Sequence, residues 1–234
     1  MSIYAIGDLH LSFGTNKPMD IFGFNWENHS EKIKKNWIDK VKEDDLVLLP
    51  GDFSWAMDLE NTYEDFKFLN SLPGKKLLLK GNHDYWWTTL TKMRDFLKSN
   101  NFENIDFIQN NYYEYNNIVI TGVRGWTIDN KEENEKYQKR EKIRLETNLE
   151  KIKKEKGGET EIIVCLHYPP FTKDLIPRSD IDLSKVMENY NIHTCVYGHL
   201  HGEACNQAFE GEKNGINYIL ASSDYLEFDL KKIK

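Results

Sequence analysis

The chain has 234 residues, of which 39% are hydrophobic and 29% charged, and its formal net charge is -7 at pH 7. This length can bury a large core, so one domain over residues 1–234 is predicted, and the acidic balance argues against nonspecific nucleic-acid binding. The three cysteines lack CxxC spacing, and no apolar run is long enough to span a bilayer. A cytoplasmic protein without disulfides or a membrane partner is therefore predicted, while its oligomeric state is left open.

Short apolar segments, each predicted to be a strand buried in a sheet, end in residues of the kinds that bind metal ions. In chain order, these ends are Gly7-Asp8-Leu9-His10, Gly51-Asp52, Gly81-Asn82-His83-Asp84, His167 and Gly198-His199-Leu200-His201. Because ligands bind at the carboxyl ends of strands in open α/β sheets, these side chains are predicted to share one cavity.

Apolar residues at helical spacing predict helices over residues 29–42, 60–72 and 88–98, between the strands. Strands that alternate with helices indicate α/β layering. Residues 105–121 instead predict short antiparallel strands, and therefore a mixed second sheet. His29, next to a predicted N-cap at Ser30, is expected at the surface or in a capping role.

Three further segments have less regular patterns. Residues 13–26 are aromatic and rich in turn residues, which predicts either a flap beside the first motif or an ordinary long loop. Residues 131–156 are almost all charged with a narrow apolar line, which predicts a solvated helix or, alternatively, a partner-binding helix. Tyr168-Pro169-Pro170 begins a predicted loop, in which Lys173 and Arg178 either meet an anionic substrate or face solvent.

The polar strand ends contain more candidate ligands than one metal ion needs. These are Asp8, His10, Asp52, Asn82, His167, His199 and His201. Imidazoles and carboxylates without thiolates favour Mn, Fe or Zn over Ca or Mg. The number of ligands fits two divalent ions roughly 3.5 to 4 Å apart, with one shared carboxylate, for which Asp52 is the candidate.

In this order and combination, the strand-end motifs resemble the signature of the calcineurin-like metallophosphoesterase superfamily. The resemblance covers nearly the whole chain. It implies an α/β fold, a four-layer α-β-β-α sandwich of two mixed sheets flanked by helices, with the metals at the loops that follow the strands. It also implies a ligand assignment: Asp8, His10 and His201 on one ion, Asn82, His167 and His199 on the other, and Asp52 bridging both.

The resemblance implies catalytic roles as well. His83 would donate a proton to the leaving oxygen or stabilise the transition state, and Asp84 would orient the His83 imidazole. Two cations would lower the pKa of a bridging water enough to yield hydroxide near neutral pH. The predicted function is hydrolysis of a small phosphomonoester or phosphodiester; a nuclease or cyclic-nucleotide phosphodiesterase, and a catalytically silent metal-stabilised interaction module, are the alternatives.

The sequence departs from two branches of the superfamily. Lys80 and Asp84 stand where its protein Ser/Thr phosphatases carry an arginine and a glutamate, and Phe53-Ser54-Trp55 replaces the GDxxD form of several diesterases. Neither assignment is therefore favoured.

Tryptophans close to the motifs are candidate substrate contacts, because aromatic faces stack on flat groups. Trp55 and Trp86 are the ones selected, although Trp55, Trp86, Trp87 and Trp126 could equally pack beneath the loops. Arg124 and Arg178 are the candidate contacts to an anionic substrate.

Overall fold

The computed structural model describes residues 1–129 and 131–234. Its strands are β1 Ile3–Ala5, β2 Leu46–Leu49, β3 Lys75–Leu79, β4 Ile105–Ile108, β5 Tyr112–Tyr115, β6 Ile118–Val123, β7 Glu161–Leu166, β8 Ile192–Tyr197, β9 Gly211–Lys213, β10 Ile216–Leu220 and β11 Lys231–Lys232. Its α-helices are α1 His29–Lys40, α2 Tyr63–Asn70, α3 Leu90–Ser99, α4 Glu132–Lys156 and α5 Leu183–Met187.

The strands form two mixed sheets, as predicted, and β5 and β6 pair antiparallel in the second. The prediction that residues 105–108 join them there is wrong, because β4 pairs in parallel with β3 and extends the first sheet. The first has the order β11-β1-β2-β3-β4, with β1 to β4 parallel and β11 antiparallel at the edge. The second has the order β5-β6-β7-β8-β10-β9, with β6, β7, β8 and β10 parallel and the two edge strands antiparallel.

The buried strand β2 shows how the layers are built. Its side chains alternate between two faces, so Leu46 and Leu48 join the core between the two sheets, while Val47 and Leu49 join the core beneath the outer helices. This double burial explains why the strand reads as a continuous apolar run. The helix-sheet-sheet-helix layering of the predicted fold follows from it.

The charged helix α4 rests on the second sheet by a narrow edge, as predicted. Leu145, Leu149 and Ile152 are fully buried in the core with residues of β6 and β7. The same face also buries Glu141, whose carboxylate belongs to a cluster of basic side chains described below.

The prediction that His29 lies at the surface is wrong. Its side chain is only 9% exposed, and its ring packs 5.4 Å from that of Trp26. Helix α1 begins at His29 after an N-cap at Asn28, not at Ser30. The reason is that the segment 13–26 folds back over the start of the helix.

Among the described residues, no helix combines the length and apolar character that crossing a membrane requires.

Candidate metal centre

The predicted ligands lie together because the strand ends of both sheets meet at one edge of the sandwich. The backbone N–H of Asp8 donates to Gly51 O over 2.9 Å, and that of His10 donates to Asp52 O over 3.0 Å. The N–H of Gly198 donates to His167 O over 3.1 Å. Main-chain hydrogen bonds thus hold the ends of adjacent strands at the same level.

Motif glycines allow this close approach. A Cβ atom on Gly81 would collide with the Asp52 side chain, and one on Gly198 would collide with the Asp8 carboxylate. Several ligand residues also adopt left-handed backbone conformations, with φ of 57° at Asp8, 53° at Asp52 and 74° at His199. Such angles are uncommon outside glycine and cluster at functional sites.

Carboxylate and imidazole atoms form two groups whose potential ligand atoms lie within 4.8 Å of one another. The first comprises Asp8, His10 and His201, the three residues expected on one ion, and the second comprises Asp8, Asp52 and His167. Asp8 is therefore common to both groups. Asp52 Oδ2 lies 3.8 Å from His10 Nε2 and 3.6 Å from His167 Nε2, between a ligand of each predicted ion.

The two other predicted ligands adjoin the second group. Asn82 Oδ1 lies 2.7 Å from His167 Nε2. The His199 ring lies 5.0 Å from that of His167, and its backbone N–H contacts both oxygens of Asp8, at 3.0 and 3.1 Å. The division of the ligands between two ions stays a prediction.

Hydrogen bonds orient two of the imidazoles. His167 Nδ1 donates to Pro50 O over 2.9 Å, which leaves Nε2 facing the other ligands. His201 Nδ1 donates to Asp224 Oδ1 over 2.7 Å, which turns its Nε2 toward Asp8 Oδ1, 3.6 Å away. A carboxylate that holds the far nitrogen of a ligating histidine is a common outer-shell feature of metal sites.

Asp224 was missed by the sequence analysis. It also accepts the backbone N–H of Gly202 over 2.9 Å, so it fixes both the His201 ring and the chain beside it. The available signal was its position shortly after the last predicted strand, at the same end as the other motifs.

The pKa shifts of two predicted ligands indicate that the cluster of side chains lacks a positive charge. Burial, together with the nearby Asp8, raises the pKa of Asp52 to about 8. Burial opposes protonation of His201, but Asp224 and Asp8 raise its pKa to about 10. Both groups would therefore hold protons at neutral pH where divalent cations could replace them.

Unpaired nitrogen atoms support this interpretation. Among the described residues, His201 Nε2 and His10 Nδ1 are buried without a hydrogen-bond partner. Burial lowers the pKa of His167, and since its Nδ1 is the donor to Pro50, the Nε2 lone pair of the neutral ring faces Asn82 Oδ1. Two electron-pair donors that face each other in a buried site favour a cation between or beside them, so these residues fit divalent metal ions.

The role expected for Asp84 is wrong. The carboxylate is fully buried and accepts backbone N–H groups of Gly81, Asp52 and Phe53 over 2.7 to 2.9 Å. His83 Nδ1 has no hydrogen-bond partner among the described residues. Asp84 therefore fixes the loops that carry Asp52 and Asn82, because the backbone of two strand ends converges on it, and it does not orient the His83 imidazole.

One side of the centre opens into a cavity of about 610 Å³, which we call the aromatic cavity. It is lined by His10, Lys17, Met19, Phe22, Asn25, Trp26, Trp55, His83, Tyr85, His201, Gly202 and Asp224. Five of these come from the segment 13–26, so that segment lies beside the first motif, and its role as a flap or an ordinary loop stays a prediction.

Trp55 occupies the position expected of a substrate contact, and Trp86 does not. The Trp55 ring lies 4.8 Å from that of His10 and 4.6 Å from that of His83, at the wall of the aromatic cavity. Trp86 is 2% exposed, packs against Phe66 in the core, and donates its indole N–H to Asp84 over 3.0 Å. The substrate role of Trp86 is a wrong prediction, since the side chain supports the loop from beneath.

The two arginines also differ. Arg178 pairs with Glu135 at 3.3 Å and with Asp180 at 3.3 Å, beside the first turns of α4 and outside the lining of the aromatic cavity, so its position does not support the predicted substrate contact. Arg124 lies next to the centre: its carbonyl accepts the backbone N–H groups of His167 and Tyr168 over 3.1 and 2.9 Å. Its side chain lines a second cavity, on the side of α4.

The fold and the cluster define a metal-binding α/β-sandwich protein. Residues 1–203 match the model of the family described as calcineurin-like phosphoesterase, and the chain belongs to this family. Metal binding and hydrolysis of phosphate esters are the chemistry that this membership indicates. No curated protein matches the chain.

Solved structures support the fold. A protein of unknown function from Aquifex aeolicus, AQ665, is 19% identical with a TM-score of 0.50, over 99% of this chain and 95% of that one. The Thermus thermophilus protein TT1561 is 14% identical with a TM-score of 0.61, over 98% of this chain and 96% of that one. At these identities the likeness concerns the fold alone, and it confirms the predicted fold class.

Proposed function

We infer that the protein hydrolyses a small phosphomonoester or phosphodiester with the help of two divalent metal ions. The observation that carries this proposal is the pair of ligand groups that share Asp8, with one oxygen of Asp52 between His10 and His167. A single ion would leave several of these buried groups unused.

The ligand set supports Mn, Fe or Zn as the cofactors, because imidazoles and carboxylates are present without thiolates. Bound there, such ions would activate water and offset the negative charge that develops on the phosphoryl oxygens. Asp8, His10 and His201 would hold one ion, Asn82, His167 and His199 the other, and Asp52 would contact both. Asp224 and the Pro50 carbonyl would keep the His201 and His167 rings in place.

His83 is the proposed proton donor to the leaving oxygen. Its ring lies at the wall of the aromatic cavity, 5.8 Å from that of His10, so it faces both the ligands and the space that a leaving group would fill. Burial and the nearby Lys17 lower the pKa of His83, whereas a phosphate group close to the ring would favour the protonated form. Its role as an acid therefore depends on bound substrate.

The aromatic cavity supports a leaving group with a flat or apolar part. Trp55 lines this cavity, with Lys17 Nζ over its ring, 3.0 Å from the centroid, so a flat group would stack on Trp55 by displacing the lysine. Aromatic faces stack on flat groups of many kinds, which fits a small phosphate ester better than a long nucleic acid. The formal net charge of -7 likewise argues against a nuclease.

The test is hydrolysis of p-nitrophenyl phosphate and bis-p-nitrophenyl phosphate by protein loaded with Mn or Zn, with the metal content measured on the same sample. Two ions per chain and turnover of either ester are expected, and the ratio of the two rates separates monoesterase from diesterase. Two bound ions without turnover of either ester, or of a panel of nucleotides and cyclic nucleotides, would favour the catalytically silent module. A single bound ion would refute the dinuclear centre.

A further inference from the structure

A second cavity, of about 450 Å³, lies at the ends of β3, β4 and β6 and is covered by α4. We call it the basic cavity, because four of its lining residues are cationic and one is acidic: Lys80, Arg124, Arg140, Arg144 and Glu141. The sequence analysis did not find it, since its charged residues come from three separate parts of the chain.

The single carboxylate cannot balance these cations. Arg144 Nη1 lies 2.8 Å and Arg140 Nε 3.3 Å from the same oxygen of Glu141, whose side chain is 2% exposed. Within residues 1–129 and 131–234, Lys80 and Arg124 have no acidic hydrogen-bond partner, and the Arg124 guanidinium lies over Trp126, 4.2 Å from the ring centroid. The cavity therefore carries an excess of positive charge.

This excess has a cost for the folded protein. Arg140 and Arg144 are four residues apart on one helix face, where like charges destabilise a helix. An arrangement used only to anchor α4 would not need four cations, because the apolar contacts of Leu145, Leu149 and Ile152 already attach that helix.

The basic cavity adjoins the metal centre. Lys80 is two residues from Asn82, and the carbonyl of Arg124 accepts the backbone N–H of His167 over 3.1 Å. Guanidinium groups bind phosphate-like oxyanions with paired hydrogen bonds, and Thr88, Thr89 and Gln109 add polar groups to the lining.

We propose that the basic cavity binds a phosphate-like oxyanion, namely a second phosphate group of the substrate whose first phosphate lies at the metal centre. This inference rests on the proposed function for the source of the oxyanion, but the binding of an oxyanion does not. A free phosphate or sulfate ion shares the same chemistry, and the experiment distinguishes the two sources.

The binding arm uses metal-loaded protein and inorganic sulfate, with the shift in Tm measured against sulfate concentration. Arg144→Gln and Lys80→Met are each expected to raise the half-maximal sulfate concentration about 10- to 100-fold. Arg144→Lys, which keeps the charge, should lie in between. Arg178→Gln is the matched control, because it removes one arginine charge outside the cavity, and it should behave as the unchanged protein.

The kinetic arm compares adenosine 5′-monophosphate with adenosine 3′,5′-bisphosphate. The unchanged protein should favour the bisphosphate about tenfold or more through a lower KM, and Arg144→Gln should remove that preference without a matching fall in kcat. If the unchanged protein shows no preference for the bisphosphate but the sulfate result is as expected, the ligand is a free oxyanion. That outcome would refute the binding of a second substrate phosphate.

Equal sulfate dependence in Arg144→Gln, Lys80→Met and Arg178→Gln would refute the cavity as an oxyanion site. Failure of the proposed function gives a different result. A protein without hydrolytic activity would still show the shift in Tm with sulfate, and the cavity variants would still weaken that shift.

Discussion

The aromatic cavity and the basic cavity lie beside the same strand ends but are built from opposite chemistry. The first takes tryptophans and a single lysine from the segment 13–26 and the loop after β2, and the second takes cations from α4 and the ends of β3 and β6. The strands place the candidate metal ligands, whereas the surrounding segments place the groups that would choose the substrate.

This difference separates two kinds of position. Substitutions at the first kind should lower turnover of every substrate, and substitutions at the second should change turnover of only some substrates. Residues of the metal centre belong to the first kind, and cavity residues to the second.

The largest effect is expected from Asp52→Asn, which should abolish metal binding and lower turnover of all substrates together, by at least about 10⁴-fold. The amide keeps the shape of the side chain but loses the charge that faces both ligand groups. Metal analysis and kinetics on the same sample check this, with Asp39→Asn on the exposed face of α1 as the control. Retained binding of two ions would show that Asp52 does not contact both.

His83→Ala should lower turnover by roughly 10² to 10⁴-fold and leave the metal content unchanged, because the ring is proposed to serve the leaving group and not the ions. The loss should be smaller for esters with good leaving groups such as p-nitrophenol. His193→Ala, an exposed histidine at the start of β8, is the matched control. Metal-free His83→Ala protein would contradict this division of roles.

Asp224→Asn should weaken Mn affinity about 10- to 100-fold for an outer-shell change, without a direct loss of any ligand. The amide is a weaker acceptor for His201 Nδ1, so the ring would be less firmly oriented. Titration with Mn monitored by calorimetry tests this, and Asp229→Asn, at the Lys40 ion pair, serves as the control. Unchanged affinity would mean that the Asp224 contact does not position a ligand.

The pH dependence of metal binding should follow the protons that the ions displace. The pKa of Asp52 is raised to about 8 and that of His201 to about 10, so Mn affinity should rise between pH 6 and pH 8, about tenfold per pH unit for each proton released.

The same shifts act on stability. Both groups bind protons more tightly in the folded chain than in the unfolded one, so their contribution to metal-free stability falls as pH rises. The increase in Tm caused by Mn should therefore grow from pH 6 to pH 8. A Tm increase independent of pH would contradict the proposed exchange of protons for metal ions.

The smallest effect is expected from Trp55→Phe, which should raise KM about 2- to 10-fold for aryl phosphates and leave KM for glycerol phosphate unchanged. The smaller ring keeps the packing against His10 but offers less area to a flat leaving group. An equal change for both esters would show that Trp55 supports the centre and does not contact substrate.

Much of the fold could be predicted because burial leaves a periodic trace in the sequence. The double-sided burial of β2 gives a continuous apolar run, and the edge of α4 gives apolar residues at helical spacing. Strand β11 was missed, because Lys231-Lys232 joins β1 only through its backbone and has no apolar pattern.

The sequence by itself determined which side chains could bind metal, since the ligands directly follow strands whose ends must meet at one edge. Only the tertiary structure decided their partners: Asp224 reaches His201, Asp84 binds the backbone of two loops, and α4 brings its arginines toward Lys80 and Arg124. The physical reason is that the spacing of apolar residues reflects burial along one segment. Hydrogen bonds and charge clusters depend instead on which distant segments become neighbours, and the order of strands in the sheets decides that.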